Sequence, residues 1–156
     1  MAFFEAMNIS ASGLTAQRLR LDVISENITH AQTTRTLEGG PYQRKTVIFE
    51  EIRETPFTQL LQRAMGIRPT EGDGNARSGG MGVRVPIIVR DQTPGPLIFD
   101  PAHPDANADG YVRMPNVNMV AEMVDMIAAS RSYEANITAI NVTQALMTRT
   151  LEISRN

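Results

Sequence analysis

The chain has 156 residues, with fifteen Lys and Arg against seventeen Asp and Glu and a formal net charge of −2. That length fits one domain, or a small domain with extended arms, and the near-neutral balance leaves no electrostatic footprint for nucleic acid or an anionic membrane. Three Tyr, five Phe and no Trp offer few platforms for base stacking, and the lack of Cys excludes disulfides, thiolate metal sites and a Cys nucleophile.

Residues 1–31 hold no Pro and one Gly, and their apolar residues recur at helical spacing. Met7, Leu14, Leu21 and Ile28 fall at seven-residue intervals, with Phe3 or Phe4, Ala11 and Ile24 between them. This is the spacing of a coiled-coil seam. Gly13 interrupts it at a cost of about 1 kcal/mol relative to Ala, either as a tolerated defect or to let a neighbouring helix approach. Met1 to Asn8 carry no basic stretch and no long apolar run, so no cleavable signal peptide is expected. No run approaches eighteen apolar residues, so no bilayer-spanning segment is expected.

Residues 32–115 hold all nine Pro and ten of the eleven Gly, together with the β-branched runs. Strands are expected at Tyr42–Phe49, at Val83–Val89 with Pro86 marking an edge or bulge, at Leu97–Phe99 and at Tyr111–Met114. Gly39-Gly40-Pro41 reads as a turn. Phe57, Leu60, Leu61, Ala64 and Met65 suggest a short amphipathic helix, and Gly66–Gly82, with six Gly, a flexible loop.

Residues 116–156 lack both Pro and Gly. Pro115 precedes a long helix that Asn116 or Asn118 can cap. Met119, Met123, Met126, Ser130, Tyr133, Ile137, Ile140, Gln144, Met147 and Leu151 step by alternating fours and threes. The opposite face carries Val117, Val120, Val124, Ile127, Ala135, Val142, Leu146 and Ile153, broken only by Arg131, Thr138 and Arg149. The first helix likewise sets Ile9, Ala16, Leu19 and Val23 opposite Leu14 and Leu21. A helix apolar on two faces requires cover on two sides, and two long helices cover one face of each other. The remaining faces point to other subunits.

Asp105 to Gly110 (DANADG) matches the first half of a calcium loop. The twelfth position would be Asn116 rather than a bidentate Glu, so an Asx-rich turn leading into a strand is the better reading. His30 and His103 lie seventy-three residues apart without a partner motif, which disfavours zinc. No G-x-S-x-G elbow or P-loop is present. The expectation is no catalytic, cofactor-binding or metal site.

Ser12 to Gln17 (SGLTAQ) and Ile24 to Thr34 (ISENITHAQTT) resemble the N-terminal motif of the bacterial flagellar axial protein family. Asp100 to Asp105, Asp109 to Asn118, Glu122 to Met126 and Ala129 to Asn136 resemble its proximal-rod branch more specifically. The matching motif positions include Ser25, Asn27, Thr33, Pro115, Asn116, Glu122, Arg131, Tyr133 and Asn136. Glu26, Thr29 and His30 depart from the family's usual Asn and Ala-Asn.

The resemblance implies a structural subunit of the flagellar basal-body rod, outside the cytoplasmic membrane. It further implies export through the flagellar type III apparatus and transmission of torque through helical assembly. The implied partners are the rod proteins FlgB, FlgF and FlgG, the adaptor FliE and copies of itself, with no nucleic acid, no membrane insertion and no cofactor. The expected fold is α+β, with long terminal helices packed as a coiled coil around residues 1–31 and 116–156 and a small β-rich middle domain at 32–115. The helix-packing residues are then Met7, Leu14, Leu21, Ile28, Met119, Val120, Met123, Val124, Met126, Ile127, Tyr133, Ile137, Ile140, Met147 and Leu151. The rival readings are a soluble partner-binding module or export chaperone with a Met-rich groove, and a hydrolase built on His103 with Asp105 or Asp109.

Overall fold

A computed structural model describes residues 2–52, 61, 64–65 and 81–155. Two long helices, α1 (Ala2–Thr29) and α2 (Met119–Arg155), enclose in sequence two small antiparallel sheets. β1 (Lys45–Glu51) pairs with β2 (Val83–Arg90), and β3 (Leu97–Phe99) pairs with β4 (Tyr111–Arg113). The architecture is α+β.

The helices run antiparallel. Gly13 lies against Asn136, Arg20 reaches Asp125, and Asn27 reaches Glu122, so ascending α1 means descending α2. At about 1.5 Å per residue α1 is on the order of 42 Å long and α2 on the order of 55 Å. The C-terminal end of α2 therefore runs past the start of α1, and Leu151 and Ile153 are exposed there.

Asn118, not Asn116, caps α2. Its side-chain Oδ1 accepts from the Val120 and Ala121 amides at 3.0 and 3.2 Å, two of the donors a helix N-terminus leaves unpaired. Asn116 is otherwise engaged. Its Oδ1 accepts from the Arg44 amide at 2.8 Å and its Nδ2 donates to the Asp91 carbonyl at 3.1 Å.

The first strand begins later than the β-branched pattern predicts, at Lys45 rather than Tyr42. The reason is that Tyr42 and Arg44 give their amides to the Thr33 carbonyl and to Asn116, so neither amide is available to the ladder, and only the Arg44 carbonyl continues it, accepting from the Asp91 amide at 2.7 Å. The Pro86 signal corresponds to a bulge. Ile48 opposes Ile87 and Glu50 opposes Arg84, which leaves Val85 and Pro86 facing Phe49 alone. A prolyl nitrogen cannot donate to a ladder, and a bulge removes the need. Gly39 and Gly40 both take positive φ, 87° and 77°, in a turn closed by the Thr36 amide on the Gly40 carbonyl.

The amphipathic segment expected at Phe57–Met65 is described only at Leu61, Ala64 and Met65, where the Met65 amide donates to the Leu61 carbonyl. The rest of it, and residues 66–80 of the glycine-rich loop, lie outside the described residues. The Asp105–Gly110 segment is a turn into β4. Gly110, at φ 79°, donates to the Asn107 carbonyl at 2.8 Å, while Asp105 accepts from Thr34 at 2.8 Å and pairs with Arg35.

Candidate assembly interface

The α1–α2 contact combines β-branched apolar residues with small and polar ones. Ala16, Val23, Ile24 and Asn27 of α1 are buried, as are Glu122 and Ala129 of α2. Glu122, Ala129 and Asn136 recur every seven residues, so a repeat does run along the seam. Its members are too small or too polar to show in a search for apolar spacing.

At the seam's upper end sits a polar clasp. Asn27 and Glu122 are each 1% exposed. Asn27 Nδ2 donates to the Lys45 carbonyl at 2.9 Å and to Glu122 Oε2 at 3.0 Å. Its Oδ1 accepts from the Tyr42 hydroxyl and the Lys45 amide, both at 2.9 Å. All four bonding positions of this amide are therefore used. Glu122 Oε1 accepts from Arg44 Nε at 2.6 Å, and Arg44 reaches on to Asp125 at 3.4 Å. Arg20 of α1 meets the other Asp125 oxygen at 3.1 Å, and Lys45 pairs with Glu26.

The clasp joins α1, the start of β1 and α2 in one network. A buried carboxylate such as Glu122 costs several kcal/mol unless it is paired and hydrogen-bonded, and here both its oxygens have partners. Sliding either helix by one turn would strand that charge, so the clasp fixes the register of the pair. Burial pushes the Tyr42 phenol up to about 12, with the Glu26 and Glu122 carboxylates adding to the rise. His30, which departs from the family pattern, stacks on Tyr42 with centroids 4.9 Å apart.

The sequence-predicted packing residues divide by side. Met7, Leu14, Leu21 and Ile28 of α1 are half-buried and flank the buried Ala16, Val23, Ile24 and Asn27. Met126, Tyr133, Ile140 and Met147 are half-buried beside the seam of α2. Met119, Val120, Met123, Val124, Ile127, Ile137 and Leu151 are exposed. Val142, Leu146 and Ile153 share that exposure, so α2 presents a bare apolar surface along most of its length.

Of the motif residues, Asn27 and Glu122 form the clasp, and Asn116 supports it by holding Arg44. Pro115 is buried, and Asn136 faces Gly13. Thr33 contacts His30 through its hydroxyl and accepts from the Tyr42 amide. Ser25, Arg131 and Tyr133 take no part in the clasp. Ser25 and Arg131 are exposed, and the Ser25 carbonyl accepts from Thr29. The sequence reading missed Arg20, Tyr42, Arg44, Lys45 and Asp125. Charged residues on otherwise apolar helix stripes were the available signal for Arg20 and Asp125.

Two long helices locked in register by a buried polar clasp, with the outer face of α2 left bare, define the class: a helix-paired subunit suited to contact with other chains. A family profile described as the C-terminal region of flagellar basal body rod FlgEFG proteins matches residues 108–153. The chain is 45% identical to the flagellar basal-body rod protein FlgC of Borreliella burgdorferi over 98% of both chains. It is 44% identical to that of Bacillus subtilis over 99% of this chain and all of the relative. It is 35% identical to that of Escherichia coli O6:H1 over the same shares.

The chain belongs to the FlgC family of flagellar basal-body rod proteins. It is a structural, non-enzymatic subunit of the basal-body rod and assembles there with other rod components.

Proposed function

We propose that residues 1–31 and 116–156 form the part of the subunit that builds the rod core, with residues 32–115 lying outside it. In this reading the neighbours are FlgB, FlgF, FlgG, FliE and further copies of the chain. The subunit reaches its place through the flagellar type III export apparatus and carries torque by spreading load over many apolar helix contacts.

The observation that supports this most directly is the bare outer face of α2, where Val120, Val124 and Ile127 are exposed while the opposite side packs on α1. Contiguous exposed apolar surface on a folded chain marks an interaction site.

Paired substitutions test the reading. Val124→Asp places a charge on the outer face and should leave unfolding of the isolated subunit within about 0.5 kcal/mol of wild type. It should nevertheless remove the protein from isolated basal bodies. Met126→Asp places one beside the α1 seam and should lower both stability and incorporation. Incorporation of Val124→Asp at the wild-type level, with export verified separately, would overturn the proposal.

A further inference from the structure

The β3–β4 hairpin carries a second bare surface. Leu97 opposes Arg113 and Phe99 opposes Tyr111. Strand alternation puts these four side chains on one face, while Val112, on the other, is buried at 2% exposure. Leu97, Phe99 and Tyr111 remain 54%, 63% and 43% exposed. The two aromatic rings nonetheless pack on each other and on the turn. They pack edge to face with centroids 5.2 Å apart, and Phe99 lies over Gly110, where an added Cβ would come within 3.0 Å of its ring. Exposed aromatic pairs already packed in this way lose little conformational entropy on docking, and aromatic side chains are enriched at the centres of interfaces.

We propose that this hairpin face docks on the outer face of α2 of a second copy, at Val120, Val124 and Ile127. The proposal rests on the reading of the outer face of α2 as an assembly surface and adds which part of the neighbour covers it.

Size and charge favour that occupant. From Val120 to Ile127 the helix rises about 10 Å, and Leu97 to Phe99 span about 7 Å along the strand. Val120, Val124 and Ile127 are 71%, 62% and 55% exposed, so an aliphatic ridge long enough to seat the hairpin face is open. Four residues beyond Ile127, a rise of about 6 Å, stands the exposed Arg131. Two residues beyond Tyr111, at most about 7 Å, stands the exposed Asp109. Docking with Asp109 toward Arg131 therefore aligns apolar with apolar and acid with base. The two surfaces differ, so the contact is heterologous and repeats from copy to copy instead of closing a dimer.

The absence of Cys from the chain makes cross-linking specific. Tyr111→Cys, Val124→Cys and the double variant are expressed in motile cells, and isolated basal bodies are treated with a short bismaleimide. The double variant should give a ladder of dimers, trimers and higher forms, and each single variant should give none. A double variant that incorporates without a ladder overturns the proposal.

A charge exchange covers the case in which the cysteines hinder assembly. Asp109→Arg and Arg131→Asp should each lower incorporation roughly threefold to tenfold, and the two together should restore it. Absence of restoration overturns the proposal. If Val124→Asp blocks incorporation while neither ladder nor charge rescue appears, the hairpin assignment alone fails. If Val124→Asp incorporates normally, the assembly reading of α2 fails with it.

Discussion

Gly13 and Asn136 mark the close approach of the two helices. A Cβ built at Gly13 would lie 2.8 Å from Asn136 Nδ2 and 3.3 Å from its Cγ. The glycine in the middle of α1 is therefore a contact device, and its helix-propensity cost of about 1 kcal/mol is offset by the packing it permits.

The atoms facing Gly13 belong to the end of a side chain, which can turn aside. Gly13→Ala should consequently change stability by less than about 1 kcal/mol, since the gain in propensity opposes the displaced amide. Gly13→Leu has no such escape and should cost about 1–3 kcal/mol through overpacking. Adding Asn136→Ala should recover part of that cost. Denaturant unfolding of wild type, Gly13→Leu, Asn136→Ala and the double variant checks the coupling, and strict additivity would remove the contact from the account.

Gly95 presents the contrasting case. A Cβ there would meet the Met114 carbonyl oxygen at 2.0 Å, the Pro115 carbonyl carbon at 2.8 Å and the Asn116 nitrogen at 3.0 Å. All three are backbone atoms and cannot rotate away. Gly95→Ala should cost about 2 kcal/mol or more. It should also shift Asn116, which holds the Arg44 amide at 2.8 Å. A lowered thermal midpoint is the expected reading, and an unchanged one would show that the 94–96 segment moves freely.

The clasp gives an isosteric test. Asn27→Asp keeps the shape but replaces the Nδ2 donor with an oxygen facing Glu122 Oε2 and the Lys45 carbonyl. Two carboxylates then share a buried site, and the loss should be about 3–5 kcal/mol. Glu122→Gln removes the charge that Arg44 balances while leaving Asp125 as a partner, so its cost should be smaller. Equal costs for the two variants would argue against charge as the deciding factor.

The sequence made the helices and all four strand cores legible because apolar periodicity and Pro/Gly punctuation report on them directly. Leu97–Phe99 is observed as the pattern predicts, and the second strand differs only by extending to Arg90. The Tyr42–Phe49 strand failed at its start because two backbone amides were claimed by distant partners, a tertiary effect that local pattern does not carry. The clasp was only half legible. Asn27, Asn116 and Glu122 stood out through motif likeness, whereas Arg44 and Tyr42 lie in a loop whose position depends on the helices already being paired. Apolar spacing also could not single out Ala129 or Asn136 as seam positions, because close helix approach favours small and hydrogen-bonding side chains over large apolar ones.

Tyr42 supplies a pH test of the clasp. Its hydroxyl donates to Asn27 Oδ1 at 2.9 Å. Burial, then the Glu26 and Glu122 carboxylates, raise its phenol from the usual value near 10 to about 12. The folded state thus favours the neutral phenol. Its contribution to stability is complete below about pH 10 and is lost as pH rises from 10 through 12, where the unfolded chain ionises first. At neutral pH Tyr42→Phe should cost about 1 kcal/mol, because Asn27 Oδ1 still accepts from the Lys45 amide. Above pH 10 the wild type should lose stability faster than the variant, and the gap between them should narrow. Urea unfolding midpoints measured for both proteins across that range decide the matter. Parallel curves would mean that the phenol ionises as easily in the folded chain as in the unfolded one, and the clasp would then be more open to water than its geometry shows.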